Sequence, residues 1–451
     1  VKGKNIIVVG ASESGIALSR HLSEEGHSVT LIELNETLAE QLDEELNVRV
    51  IAGDGSSAEK LLEARVGNCH YMIAMTHEDK VNIVACSIAK ALGVETTIAR
   101  IHDQTENDHK IFNYQSHFGI DFLINPEELS AVEIAKNIRN PGRVAVENFA
   151  RGEIEVQSFK IPEHSSFAQK TLKDIRLPGI RVGYVQKGSH HEVPSRDTVL
   201  EVGDIVSLVG SPESLFEIRK KLETSVGPDT VRVVLYGASE SAISLIRLLS
   251  SPRFRIRVLE ENKARCEHLA EQFPQITVIN GNAMSLQLLE EEQIDHCDYF
   301  VCCSKQDPSN IIACLQAQRV GIKQVMLVIN ESNYAAILQE LKNTIGITAF
   351  SSPQSATINE ISKIISTEPY TLLGHVPGHV GKIIEVSLPP ESRCADKLIR
   401  EIPWPTGAII VALLHKYHAK VPGPDDRLLA GDRAVLIVEE SKIKTVLELL
   451  R

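Results

Sequence analysis

Basic residues are in deficit in this chain, 47 Lys and Arg against 60 Asp and Glu, which leaves a formal charge of −13 and a pI near 5.7. A surface of that sign is repelled by phosphate backbones and anionic headgroups, so no nucleic-acid partner and no polybasic membrane attachment is expected. Long apolar runs are missing too. The longest, such as residues 6–9 and 408–414, fall far short of the roughly 20 residues of a membrane-spanning helix, so no direct membrane insertion is expected. The opening residues Val1-Lys2-Gly3-Lys4 lead into neither the apolar stretch nor the small-residue cleavage site of a signal peptide, which makes the cytoplasm the expected compartment. The eight cysteines lack Cys-x-x-Cys spacing, and several sit in apolar stretches such as Tyr299-Phe300-Val301-Cys302-Cys303; they read as reduced, buried small hydrophobes.

Catalytic signatures are equally scarce. Gly10-Ala11-Ser12-Glu13-Ser14 is no nucleophile elbow, because residue 14 is not glycine, and there is no Walker lysine and no His-Glu-x-x-His. The histidine pairs 190/191, 375/379 and 415/418 are expected in loops or on the surface, since zinc needs three or four converging ligands. No catalytic residue and no metal ligand is assigned, and the chain is not expected to be an enzyme.

What is present is a duplication. At 451 residues and 43 % hydrophobic, the chain has room for roughly two to four globular domains. Gly10-Ala11-Ser12-Glu13-Ser14 recurs 227 residues later as Gly237-Ala238-Ser239-Glu240-Ser241. Glu33 answers to Glu260 and Pro126 to Pro353 at the same offset, whereas Thr76, Asp79, Asn82 and Gly93 match Ser304, Asp307, Asn310 and Gly321 at 228. Farther on, Val193-Pro194 and Gly203-Asp204 match Val421-Pro422 and Gly431-Asp432. Each half begins with short apolar runs lacking alternation (5–9, 29–32, 48–52, 71–75, 97–101, 121–124; then 231–235, 256–259, 276–279, 299–302, 325–329), separated by amphipathic stretches such as 79–92. Such runs suit strands buried on both faces of a parallel sheet, and their alternation with helices specifies a doubly wound α/β layer. From about 144 to 222, and again from about 370 to 451, the pattern turns β-rich. Strands are expected at 153–161, 180–185, 198–202 and 205–209 with helices at 167–175 and 212–222; the second copy has strands at 383–388, 408–414 and 434–438 and a closing helix at 441–450. The expected domains are 1–140, 141–226, 227–367 and 368–451, with turn formers Ser225-Val226-Gly227-Pro228 as the linker.

In each half the first strand runs into a Gly-x-x-x-x-Gly/Ala turn that opens a helix, and an acidic residue ends the next strand, the context of a dinucleotide fingerprint. Gly10 permits the turn, Gly15 lets helix and strand approach, and the helix N-terminus can receive phosphate oxygens. Glu33 sits where a carboxylate accepts ribose hydroxyls and repels a 2′-phosphate, favouring NAD over NADP. Ser12 and Ser239 replace the middle glycine; the Cβ narrows the approach of a pyrophosphate, although a hydroxyl could donate to it. Thr76-x-x-Asp79-x-x-Asn82, with its copy Ser304-x-x-Asp307-x-x-Asn310, reads either as a crevice lining or as a helix cap. Arg100, alone in an apolar strand, is either an anion clamp or half of a buried ion pair with Asp103 or Glu33. The second half has Val328 there, so the two sites are not equivalent.

This order of motifs, with Gly53-Asp54-Gly55 and Ile98-Ala99-Arg100-Ile101, resembles the RCK (KTN) family in tandem, over residues 1–451. The resemblance implies two Rossmann-like doubly wound parallel-sheet domains, each followed by a small α+β module of the RCK_C type. It implies a cytosolic subunit that assembles as a homo-oligomeric ring, senses NAD(H) or an adenine nucleotide (ADP or ATP), and gates an integral-membrane potassium transporter of the Trk type, to which it is peripheral. Carried over residue by residue, it assigns nucleotide binding to Gly10, Ala11, Ser12, Glu13, Ser14 and Gly15, with ribose at Glu33, adenine near Asp54 and Gly55, and further contacts at Thr76, Asp79 and Arg100. In the second half it assigns Gly237, Ala238, Ser239, Glu240, Ser241, Ala242, Glu260, Asn282, Ala283 and Ser304. An NAD-dependent oxidoreductase and a nucleotide-free structural adaptor are the competing readings.

Overall fold

Ile6, Ile7, Val8 and Val9 are each at most 2 % exposed in the structure, a computed structural model, because the strand they form is covered on both faces. The structure describes residues 3–102, 112–139, 147–149, 154–188, 190–222, 230–341, 345–365, 370–376, 381–415 and 418–450. Strands β1 (Asn5–Val9), β2 (Ser28–Glu33), β3 (Arg49–Ala52), β4 (Tyr71–Ala74), β5 (Thr96–Arg100) and β6 (Phe122–Ile124) form a parallel sheet in the order β3-β2-β1-β4-β5-β6. The first small module supplies β7 (Glu147–Phe149), β8 (Ile154–Lys160), β9 (Lys170–Thr171), β10 (Ile180–Lys187), β11 (His190–Glu192), β12 (Val199–Leu200) and β13 (Ile205–Gly210). The second half repeats the parallel order, with β14 (Val231–Tyr236), β15 (Phe254–Glu260) and β16 (Thr277–Asn280) on one side of the crossover and β17 (Tyr299–Cys302), β18 (Val325–Val328) and β19 (Ala349–Ser351) on the other. Both layers are Rossmann-like. The chain order reverses between β1 and β4, and again between β14 and β17, which splays the loops apart and opens a crevice at the carboxyl ends.

The repeats sort by type rather than by half. One compact unit takes residues 1–135 and 230–365, the two Rossmann layers; the other takes 136–229 and 366–451, the two small modules. In the first unit the second-half helix Pro353–Ile365 lies against the first-half helix Glu13–Glu24, and its fully buried Ile361 and Ile365 complete the core built on Ile6, Val8, Leu18 and Leu31. Gln354 Nε2 donates to the Glu13 carbonyl (3.0 Å), and His21 and Ser362 share a hydrogen bond (3.2 Å). In the second unit two five-stranded sheets share an apolar interior. Ile154, Val156, Tyr184 and Val209 meet Ile383, Val411, Val435 and Ile437 there. The helices Pro212–Leu222 and Ile443–Leu450 cover the outer faces.

Several expectations need correction. Residues 167–175 form no α-helix: Gln169 is left-handed (φ 60°), its amide donates to the Leu200 carbonyl (2.7 Å), and the segment becomes the short strand Lys170–Thr171 and the 3-10 turn Leu172–Asp174. The partner strand shrinks to Val199–Leu200. His190 and His191 lie in a strand rather than a loop, as do His375, His415 and His418; His190 is nonetheless on the surface, and the partly exposed His415 has its Nδ1 2.6 Å from the buried Asp432 carboxylate. His379, the linker at residues 225–228 and the remaining expected boundaries, at 140/141 and 367/368, lie outside the described residues. The cysteines are free thiols and seven of the eight are buried; burial pushes Cys86 up to about 12. Among the described residues no helix is long and apolar enough to cross a membrane, and no cluster of His, Cys, Asp or Glu could hold a metal.

Candidate functional site

The crevice of the first half begins where Val9 hands over to Gly10, whose φ of +96° turns the chain from sheet to helix. A Cβ on Gly10 would lie 2.9 Å from Thr76 Cγ2 and 3.0 Å from the Thr76 nitrogen, so the loop after β1 presses on the loop after β4. Gly15 is held more tightly still: its Cβ would fall 2.1 Å from the Gly10 carbonyl oxygen. The second half keeps this turn at Gly237 (φ +93°), packed on Ser304, and places fully buried Ala242 at the position of Gly15.

Ser12 and Ser239 are helix N-caps. Their hydroxyls accept from the Gly15 and Ala242 amides, both at 3.3 Å, and Ser12 Oγ also donates to the Met75 carbonyl (3.0 Å). The donor proton that could meet a phosphate is therefore spent on the loop after β4. Glu13 and Ser14 then open the first turn, as Glu240 and Ser241 do in the second half, where backbone amides have no partner within a helix.

Glu33 bridges two loops. Its Oε2 accepts from the Ala11 amide (2.6 Å) and its Oε1 from the Asn35 amide (2.9 Å). Glu260 does the same with Ala238 and Asn262, both at 2.8 Å. Each carboxylate oxygen keeps a second lone pair for a hydroxyl. Asp54 closes its own turn by accepting from the Ser56 amide (2.8 Å) and hydroxyl (2.7 Å), Asn282 accepts from the Met284 amide (2.7 Å), and Gly55 lies where a Cβ would strike Val9, 2.1 Å away.

The Thr-x-x-Asp-x-x-Asn constellation joins the strand ends that border the crevice. Helix Asp79–Ala91 takes no side-chain cap from its N-cap residue Glu78. Fully buried Asn82 instead accepts from the Thr76 amide (3.0 Å) and hydroxyl (2.7 Å) and donates to the carbonyls of Thr76 and Arg100 (3.0 Å each), stitching the ends of β4 and β5 together. Asn310 repeats this with Ser304 and Val328. Thr76 Oγ1 also accepts from the Glu78 amide (3.2 Å). Asp79 accepts from the His102 amide (3.0 Å) and lies 2.6 Å from its Nδ1, while Asp307 takes the amides of Asn330 and Glu331.

Arg100 is 8 % exposed, and its partner is Glu127, at 3.4 Å, rather than Glu33; Asp103 lies outside the described residues. The pairing is incomplete, because Arg100 Nε and Glu127 Oε2 are buried without a hydrogen-bond partner. A buried guanidinium with an idle donor at the crevice end of β5 fits an anionic group. Glu127, Asn125 and His102 belong to none of the motifs read from the sequence; the Asn-Pro-Glu run after β6 signals the first two, and His102 has no local signal. Asn125 Oδ1 accepts from the amides of Glu127 (3.1 Å) and Glu128 (3.2 Å), which positions the acid.

The hydrogen bond to Asp79 holds His102 above its ordinary value near 6.5, against the opposing effect of burial, and the Glu240 carboxylate of the second half adds to it. The pair is fully stabilising below about pH 6.5, the value of an unfolded histidine, and its contribution is lost as pH rises through the elevated folded value. Substituting the second half's residue, His102→Asn, should therefore lower the thermal midpoint most at low pH, and wild type and variant should converge in a pH series. A gap that widens with pH would sink the assignment.

Cavities of about 840 and 670 Å³ open at corresponding places in the two Rossmann layers, but at the amino ends of the strands, beside Asn5 and Ser28 in one and Arg232 and Arg255 in the other, away from these loops.

Comparison with known proteins adds three findings. The family model described as TrkA-N domain matches residues 6–126 and 233–353, and the one described as TrkA-C domain matches 156–223 and 383–451. The Trk system potassium uptake protein TrkA homolog 2 of Methanosarcina mazei is 28 % identical over 454 residues, covering 99 % of both chains. The crystal structure of the GsuK RCK domain superposes with a TM-score of 0.58 at 18 % identity, covering 99 % of this chain and 95 % of that one, and the GsuK channel bound to NAD gives 0.58 at 19 %, covering 99 % and 79 %.

Proposed function

Because the chain belongs to the TrkA family, both halves matching its TrkA-N and TrkA-C domains, we propose that it is a regulatory subunit of potassium uptake that binds NAD(H) or an adenine nucleotide and gates a Trk-type membrane transporter. On this reading it works in the cytoplasm as a homo-oligomeric ring, peripheral to the membrane through that partner, with the domains 1–140, 141–226, 227–367 and 368–451. The observation that carries the reading is the first-half crevice, where the opening turn of helix Glu13–Glu24, the Glu33 carboxylate and the half-satisfied Arg100 guanidinium stand at the carboxyl edge of one sheet.

A bound nucleotide supplies negative charge and ribose hydroxyls. Gly10 to Gly15 would hold the phosphates on backbone amides, Glu33 would accept from the ribose, the loop at Asp54 and Gly55 would flank the base, and Arg100 would offer its idle Nε. A ligand regulates only if it binds two conformations unequally, with couplings of about 1–3 kcal/mol. The route from the loop is short: Gln354 of the second Rossmann layer donates directly to the Glu13 carbonyl.

Thermal stability should rise with NAD, NADH, ADP or ATP at saturation, and no shift with any of them overturns the proposal. NADH should bind at least about tenfold more tightly than NADPH, since a 2′-phosphate would face the Glu33 charge, and Glu33→Gln should narrow that ratio. Equal affinities for the two in the wild type would remove Glu33 from the site.

A further inference from the structure

The two crevices are built from the same loops but finished with different chemistry. Strand register equates Val9 with Tyr236, and Ala52 with Asn280, and the residue after each ribose-side glutamate is Leu34 in one half and Glu261 in the other. In the first half all three places are apolar, and Leu34 stands 72 % exposed at the rim. In the second half Tyr236 is 2 % exposed and its hydroxyl donates to Glu261 Oε1 at 2.7 Å. Asn280 Nδ2 donates to the carbonyls of Glu260 (2.9 Å) and Glu261 (2.8 Å). The ends of β14 and β16 are thus both tied to the loop after β15, a set of bonds that Val9, Leu34 and Ala52 cannot make.

We infer that the Tyr236–Glu261–Asn280 latch closes the second crevice to adenine nucleotides, so that each chain binds one nucleotide, in its first half, with Leu34 covering the base. The inference rests on the sensor reading above. A base entering beside β15 would have to break the Tyr236–Glu261 bond and leave a buried phenol without its acceptor, the expensive way to lose a hydrogen bond. The charges also disfavour an anion, because Glu260 and Glu261 stand side by side and Val328 replaces Arg100. Leu34 offers the opposite: exposed apolar area beside Glu33 that a flat ring would remove from water.

Isothermal titration of the full chain with ADP should find one equivalent. Two equivalents overturn the inference, whereas no binding of ADP, ATP, NAD or NADH overturns the sensor reading itself. Leu34→Glu should weaken the single event at least tenfold, and an unchanged affinity overturns the assignment of the base to the first half. In Tyr236→Val/Glu261→Leu, which installs the first half's residues, adenosine should bind at two equivalents, since a probe without phosphate has no need of Arg100. One equivalent in the folded variant removes the latch as the cause. If the double variant does not fold, Glu261→Leu alone, at an exposed position, carries the same expectation.

Discussion

Arg100→Leu should destabilise the Rossmann unit by about 3 kcal/mol, and adding Glu127→Gln should restore most of that loss. Truncating one partner of a buried ion pair strands the other charge, which typically costs about 3–5 kcal/mol, whereas replacing both by neutral residues of similar volume is often close to neutral. The side chains here are 9 % and 19 % exposed, so the lower end of that range applies. The chain contains its own precedent. At the corresponding positions the second half carries Val328 and Gln354, and there Gln354 turns to the Glu13 carbonyl instead. The measurement is the first unfolding transition of each variant, read as a shift in midpoint. If the double variant is as unstable as the single one, Glu127 is not the charge that Arg100 compensates. Both variants should lose affinity for ADP equally, because the guanidinium is absent from each; that separates its part in binding from its part in stability.

Asn82→Ala should cost about 3 kcal/mol, the range expected when a fully buried hydrogen-bonding hub leaves several backbone groups unpaired. Its amide meets the Thr76 amide, hydroxyl and carbonyl and the Arg100 carbonyl; the hydroxyl can turn to the Glu78 carbonyl (3.3 Å), but an alanine offers the backbone groups nothing. Asn310→Ala should be destabilising to a similar degree through Ser304 and Val328. The two should part company in binding. Asn82 holds the strand end that carries Arg100, so its loss should weaken ADP, while the folded Asn310→Ala variant should bind ADP as the wild type does. Equal weakening in both would mean that the second crevice contributes to nucleotide affinity.

The parallel layers were legible because their evidence is local. Residues 6–9 and 299–302 are uninterrupted apolar runs, and such runs form strands wherever both faces are covered. Glycine turns were legible for the same reason, since the positive φ at Gly10 and Gly237 follows from a strand that must reverse into a helix within a few residues. Short strands such as Ala349–Ser351 and His418–Lys420 escaped notice because three residues carry no period. The stretch 167–175 carried a helical pattern, but its amides at Gln169, Leu172 and Lys173 found the carbonyls of Leu200, Thr198 and Arg196, farther along the chain than any helical partner.

The sequence by itself determined that this protein consists of two copies of a Rossmann layer and a small β-rich module, since period, turn chemistry and internal repetition are properties of neighbouring residues. Only the tertiary structure decided which residues meet. It joined Arg100 to Glu127 across 27 positions, drew Gln354 to the first glycine loop, set Ser12 against the Met75 carbonyl and Asn82 between the ends of β4 and β5, and gathered the layers of both halves into one unit. The physical reason is that a buried polar group takes whichever partner packing brings within 3 Å or so, and packing is a property of the whole chain.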